Sequence, residues 1–591
     1  MGEFNSQNEE KDKDKNENDK KFNLLDKEWI NVVTNYKGTT ERVGMRKFFE
    51  HAHEYIALAG DTPTQDFAVM RFLLAVLHTV FSRYDADGKA YEILEMNDRM
   101  QPIEEPEEYL EEYEDLLMDT WKDLWNKGKF PEIVNDYLEK WRDRFDLFDD
   151  KYPFYQVTKD ILDNFKCYSN QGDTTKIGDI SFKTINRKIS ETRKNYAIFS
   201  MIDDYYDKEK LSNEDLSRWL IHYMGYSSTP DKTKIRDYLD LKNIKKYDGH
   251  KGWQYSIGAI HYKADNLFKT LLLNLVLVHP NEKFAGKMQT PAWELSPEEN
   301  VRFYLENNSI DNLARLYTDY SRCVYIPKEE NETIGFFNIV QLPALDKKDN
   351  FLECMTIWEY VKKKDDAKKT WYSKENNVNE AMWRNFGLIY LNNQTNNPDY
   401  RAPDIINWFI KVSDNIKNKK FIKLSSLGIK GVMASNVMSN EMNDDIYIDF
   451  DVSRDISQNG WIVRINEIIE HTKAFINETY RGFAEHVIRL GKGISSPEKE
   501  MVDSLLENVY FALNNPFKDW LASIVYKEDK EKKIKECKEI IKEVILNEAR
   551  KTTQELGPRA YIGIKYKNKK DMKYTNIAIA FNQLVLDINK F

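Results

Sequence analysis

Cysteine is scarce. A chain of 591 residues holds four, Cys167, Cys323, Cys354 and Cys537, and none forms a C-x-x-C pair. Such scatter argues against a disulfide framework and against a zinc site, so no cofactor or metal is expected, and it suits a reducing cytoplasm. Positive charge is not in excess: 87 Lys and Arg face 98 Asp and Glu, for a net charge of −11. This disfavours indiscriminate polyanion binding and leaves room for local basic patches. Long apolar runs are missing; the longest, "LLLNLVLV" at 271–278, is too short to span a bilayer, and no apolar signal segment opens the chain. A cytoplasmic protein without a membrane partner is the expectation. Catalytic signatures are missing too. There is no G-x-x-x-x-G-K-[ST], no H-E-x-x-H, no G-x-S-x-G and no carboxylate set spaced for two metals, so no catalytic residue is named and a non-enzyme is expected.

What the chain does have is a large apolar and aromatic fraction, 41% and 13%, enough to bury cores in several domains. Residues 5–21, "NSQNEEKDKDKNENDKK", mix both charges without an apolar residue, and 1–21 reads as a disordered tail. "FNLLDKEWINVV" (22–33) reads as a short strand, "EEPEEYLEEYEDLLMDTWKDLW" (104–125) as an amphipathic helix with Tyr109, Tyr113, Leu116, Leu117 and Trp121 at helical spacing, and "NLFKTLLLNLVLV" (266–278) as a buried helix. Alternating stretches between about 320 and 400, and "IYIDFDV" (446–452), predict antiparallel strands. Further on, 459–490, 497–526, 529–555 and 571–590 each carry apolar residues at helical period, with Ile465, Ile468, Thr472, Phe475 and Phe483 as the stripe of the first. The fold class is therefore α+β: a mixed N-terminal domain with antiparallel β elements over 22–455, then a C-terminal four-helix bundle over 456–591.

"ALAGDTPTQDFAVMRFLLAVLH" (57–78) poses the sharpest local question. Thr62, Pro63 and Gln65 match a capping box: N-cap, first helical position and the N3 residue reaching back. A phosphate at this helix start is the competing reading, but the glycines and lysine of a P-loop are missing. Arg71 and His78 also match the loose Arg-x(4–6)-His spacing of HEPN-type ribonucleases, as do Arg46/His51, Arg464/His471 and Arg481/His486. A HEPN-like ribonuclease toxin is thus the alternative function, in which His78 or His486 would be required for RNA cleavage.

Several stretches occur together in a telling order. They are "FNLLDKEWINVV", the 57–78 stretch, "DKYPFYQV" (150–157), "INRKISETRKNYAIFS" (185–200), "NLFKTLLLNLV" (266–276), "TPAWE" (290–294), "NLARLYTDYSR" (312–322) and "ECMTIW" (353–358). In this order the chain resembles the large, CasA-type subunit of the type I-E CRISPR surveillance complex, Cascade. The resemblance implies a non-catalytic role: reading the protospacer-adjacent motif (PAM) in duplex DNA, starting strand separation, and recruiting the helicase–nuclease. Guide RNA, double-stranded target DNA and the other Cascade subunits are the implied partners.

The resemblance also assigns candidate residues. A glycine-bearing loop approaching the minor groove falls on "KKYDGHKGWQYSIG" (245–258), with Gly249 and Gly252; a plain turn is the other reading. A lysine reaching into the groove falls on Lys362 or Lys363 in "YVKKKDDAKK" (360–369), where a solvated hairpin tip is the alternative. A wedge beside the PAM falls on "SLGIKGVMASNVMSN" (426–440), with Lys430, Gly431, Val432 and Met433 where the family's best-known pattern has a Gln. A loop meeting the guide RNA falls on 172–200, where Phe182, Lys183, Asn186, Arg187, Lys188 and Arg193 offer one aromatic plus cations. Some relatives carry paired zinc-ligand cysteines; this chain has none.

Overall fold

The computed structural model describes residues 21–591 apart from 107–108, 169–173, 183–184, 187–210, 228–232, 328–335, 365, 392–397, 417–420, 433–436, 495–496 and 569–570. The chain divides into two compact units. The first takes residues up to 378 with 403–417 and 426–443; the second takes 379–402, 418–425 and 444–591. This partition differs from a single boundary at 455, and side chains give the reason. Trp383 stacks on Phe517 at 4.6 Å, Arg384 pairs with Glu507 at 2.9 Å, and Lys518 pairs with Asp444, so these stretches find their anchors among the later helices.

The first unit is built around helix Pro63–Phe81. Thr62 caps it by accepting from the Gln65 N–H, but the capping box does not close: Gln65 Oε1 accepts from the Asp61 N–H at 2.9 Å, one residue before the cap. The helix is buried nearly all round, so Arg71 and His78 are interior groups. It is also the one helix among the described residues long and apolar enough to cross a membrane, but 94% of that window is buried as core.

A six-stranded, mostly antiparallel sheet runs Thr174–Thr175, Phe165–Tyr168, Lys234–Tyr238, Phe336–Gln341 and Asp179–Ser181, with Arg322–Tyr325 paired onto Phe336–Gln341. Trp358–Val361 and Thr370–Ser373 form a hairpin in which Trp358 opposes Ser373. The long strands Phe421–Val432 and Val437–Asp449 join Ala259–Lys263 in a further sheet.

Three sequence readings of this unit need correction. Only Ile30–Val33 of the 22–33 segment is strand, because the Asn23 side chain accepts from the Leu25 N–H and turns the chain first. Tyr109 stands exposed ahead of helix Leu110–Lys127, whose buried stripe is Tyr113, Leu117, Trp121 and Leu124. Helix Leu267–Asn274 stops short of 278, since Asn274 turns its amide onto the Tyr262 backbone, accepting from its N–H and donating to its carbonyl.

In the second unit, helices Trp461–Ala474 and Arg481–Lys492 are joined through a π-helical stretch, Phe475–Tyr480. The wider π turn steps the buried stripe by four, from Thr472 to Ile476 and Tyr480, which leaves Phe475 half-buried. Helices Lys499–Ser523, Lys530–Gln554 and Ile577–Ile588 complete a four-helix arrangement. The last helix begins later than its sequence pattern indicates. Residues 571–575 pair as a strand with Ile564–Asn568, and Asn576 then caps the helix by accepting from the Ile579 N–H at 2.9 Å.

Candidate nucleic-acid interface

Segments far apart in sequence converge on residues 373–376. The Gly258 N–H donates to the Lys374 carbonyl at 3.0 Å, and Ser373 Oγ donates to the Ser256 carbonyl at 2.9 Å. Asn376 Nδ2 donates to both Ser426 Oγ and the Leu427 carbonyl at 2.8 Å. The loop 245–258, the 358–373 hairpin and the start of the 426–443 hairpin thus share one short connector. Packing there is tight: a Cβ on Gly258 would lie 2.5 Å from Asn376 Oδ1, and one on Gly428 would lie 3.1 Å from the Asn376 carbonyl oxygen.

The tip of the 358–373 hairpin is held by Asp366. Its carboxylate, largely covered, accepts from Lys348 Nζ at 2.8 Å, the Lys363 N–H at 3.0 Å and the Tyr372 hydroxyl at 2.9 Å. Hydrogen bonding to Lys348 keeps this carboxyl below its ordinary range. Behind the tip, Lys347 Nζ donates to Ser256 Oγ at 2.6 Å. Burial pushes the Lys347 ammonium down to about 8, with the neighbouring charges of Lys251 and Lys363 adding to the effect and Glu375 and Asp319 opposing it. Lysines from three segments thus act on one another's charge here.

The 57–78 stretch does different work. Arg71 makes a two-pronged pair with Glu353 at 2.9 and 2.8 Å, entirely out of water, with its guanidinium over the Tyr317 ring at 4.0 Å. Burial, with His279 and Arg71 nearby, pushes His78 down to about 3, so the imidazole is neutral. The arginines of the other Arg/His pairs have acidic partners. Arg464 pairs with Glu467 and Glu531, Arg481 with Asp503, and Arg46 lies against Asp26 and Glu139. His486 is half-buried with its ring against Tyr566, and burial lowers its pKa. All four cysteines are buried thiols.

A family model described as CRISPR-associated protein Cse1 matches residues 23–548. The chain belongs to the Cse1 family. A CasA/Cse1 protein of Thermus thermophilus is 33% identical over 138 residues, a match spanning 23% of this chain and 21% of that relative. Among solved structures, Thermobifida fusca Cse1 superposes with a TM-score of 0.72 at 20% identity, covering 97% of this chain and 98% of that one. Thermus thermophilus CasA gives 0.62 at 17% identity over 97% and 99%. A chain of a CRISPR RNA-guided surveillance complex gives 0.61 at 13% identity over 96% and 99%. These likenesses are of fold.

Within this Cse1-family chain, the residues singled out by sequence have unequal fates. Lys362 and Lys363 are exposed at the hairpin tip, with the Lys363 ammonium 3.8 Å from the centre of the Tyr372 ring. Gly252 is buried, and its N–H donates to the Ser227 carbonyl at 2.9 Å. A Cβ there would meet the Gly225 carbonyl oxygen at 2.4 Å, so the close approach that demands glycine is to helix Asn213–Tyr226 of the same chain. Gly249 is exposed on the loop, while Gly258, missed from sequence, makes the loop's contact with the connector.

Lys430 is exposed on strand Phe421–Val432, which also contains Gly431 and Val432, and Met433 lies outside the described residues. Phe182 is not a free stacking platform for a base. It is fully buried and stacks on Phe337 at 5.6 Å, because the edge strand Asp179–Ser181 delivers it to the core. Asn186 is buried beside it, and Lys183, Arg187, Lys188 and Arg193 lie outside the described residues.

Proposed function

We propose that this chain is the non-catalytic large subunit of a Cascade-type RNA-guided complex. In it, the chain reads the PAM in double-stranded DNA, helps begin strand separation, and recruits a helicase–nuclease. Guide RNA and the other Cascade subunits are its partners, and the cytoplasm its place of work. The observation that carries this reading is the convergence of the glycine loop, the lysine hairpin and the 426–443 hairpin on Lys374 and Asn376. Backbone and cations gathered at one place fit a duplex: the exposed part of the loop at Gly249 lets the chain come close, and lysine meets phosphate and the acceptors of the minor groove. A chain of net charge −11 needs such a local device, because it has no general attraction for DNA.

Expression with neighbouring genes tests the assembly. The chain should co-purify with smaller subunits and a guide of about sixty nucleotides, a length implied by the family; isolation as a free protein from such cells would contradict it.

Lys347 adds a pH signature. In the free protein it gives up its proton near pH 8. Phosphate nearby favours the charged form, so binding takes up a proton, and affinity falls as pH rises from about 8 toward the ordinary lysine value of about 10.4. The assembled complex should bind PAM-bearing duplex more weakly at pH 9 than at pH 7. Lys347→Arg, which stays charged, should flatten that slope; equal slopes in the two proteins would remove Lys347 from the interface.

A further inference from the structure

The start of helix Pro63–Phe81 has one donor that its own cap leaves over. Pro63 has no N–H, the Gln65 N–H goes to Thr62 Oγ1 at 3.2 Å, and the Asp66 N–H goes to the Thr62 carbonyl at 3.1 Å. The Thr64 N–H remains. It donates to Glu441 Oε1 at 2.5 Å, across a sequence separation of 377 residues. Glu441 lies on strand Val437–Asp449, on the returning side of the 426–443 hairpin. We infer that Glu441 is a positioning residue: its carboxylate, seated on the N-terminus of helix Pro63–Phe81, fixes the hairpin that the proposed function sends into the duplex.

Three physical points support the assignment. A carboxylate is the group a helix N-terminus favours, because the helix dipole and an unpaired N–H both point at it. The seat also holds buried polar groups, with Thr64 Oγ1 3.0 Å from His222 Nε2 and the Asp66 carboxyl, pushed up to about 7 by burial, accepting from the Gly60 N–H, while the charges of Lys263 and Arg218 favour a carboxylate nearby. The opposite strand of the hairpin has its own tether, the Asn376 amide on Ser426 and Leu427. One tether on each strand holds the base of the hairpin from both sides. With Glu441 in place, the N–H that a phosphate would need at this helix start is already taken.

The inference rests on the reading of this hairpin as the DNA-entering element, and the test separates the two. Hydrogen exchange of the full chain is compared for wild type, Glu441→Ala and Glu441→Gln. Alanine should speed exchange of amides in 426–443 and at Thr64 by about tenfold or more, the usual weight of a charge-assisted hydrogen bond, with the rest of the chain unchanged. Glutamine keeps an acceptor and should recover part of the protection, and it serves alone if alanine loosens the whole unit. Exchange in 426–443 identical in all three proteins would overturn the anchor, whatever the hairpin does.

In the assembled complex, a fluorescent base analogue beside the PAM reports strand opening, which Glu441→Ala should slow. If exchange rises while opening keeps its wild-type rate, the anchor stands and the DNA-entering role of the hairpin fails.

Discussion

Replacing Lys362 and Lys363 together by alanine is expected to weaken binding of the assembled complex to PAM-bearing duplex by about ten- to a hundredfold. The size follows from the kind of contact: a side chain reading a groove edge is worth about 1–3 kcal/mol. The structure gives the two lysines different settings. Asp366 holds the Lys363 backbone, and Tyr372 takes the Lys363 ammonium over its ring, so Lys363 is pre-placed while Lys362 stands out from the tip. The single variants should therefore separate two kinds of contact. A lysine on phosphate loses affinity evenly across sequences and lowers the salt slope by about 1. A lysine in the groove loses PAM discrimination instead. Binding assays against PAM and scrambled duplex, at two salt concentrations, distinguish them. Unaltered affinity in the double variant would make the tip a plain solvated turn.

The second large effect is on stability. Glu353→Ala should destabilise the first unit by about 3–5 kcal/mol, the usual cost of stranding one partner of a buried ion pair. Glu353 is more than the partner of Arg71. It also accepts from Trp253 Nε1 at 2.7 Å and from the Met355 N–H at 3.0 Å, so it ties the glycine loop to the segment leading into the lysine hairpin. Its loss should loosen the interface as well as the core. Replacing both Arg71 and Glu353 by leucine removes the stranded charge and should recover much of the stability, but not the Trp253 tether. Denaturant unfolding of the single and double variants measures this. A Glu353→Ala protein as stable as wild type would contradict it.

Local chemistry made part of this molecule legible from sequence. The cap at Thr62, the amphipathic helix after 109, the 358–373 hairpin and most of the C-terminal helices follow from spacing and turn residues, which act within a few positions. What escaped depends on distant partners. Nothing near Gly252 says that the facing backbone is Gly225, and nothing near Phe182 says that Phe337 covers it. Lys347 sits in an ordinary charged stretch, "DKKDN", and only the folded chain sets it against Ser256 with Lys251 and Lys363 among its neighbouring charges. Glu441 is one acidic residue in "SNEMNDD", unremarked until the helix start at Thr64 is seen to need an acceptor. The late start of the last helix was visible in principle: "DMKYT" alternates like a strand and Asn576 follows it as a cap.

The most direct measurement reconstitutes the guide-bearing complex with and without this chain and compares its affinity for target duplexes that differ only in the motif beside the target. With the chain present, the PAM duplex should bind at least tenfold tighter than the scrambled one, and the preference should vanish when the chain is left out. Equal discrimination by both complexes would contradict the account.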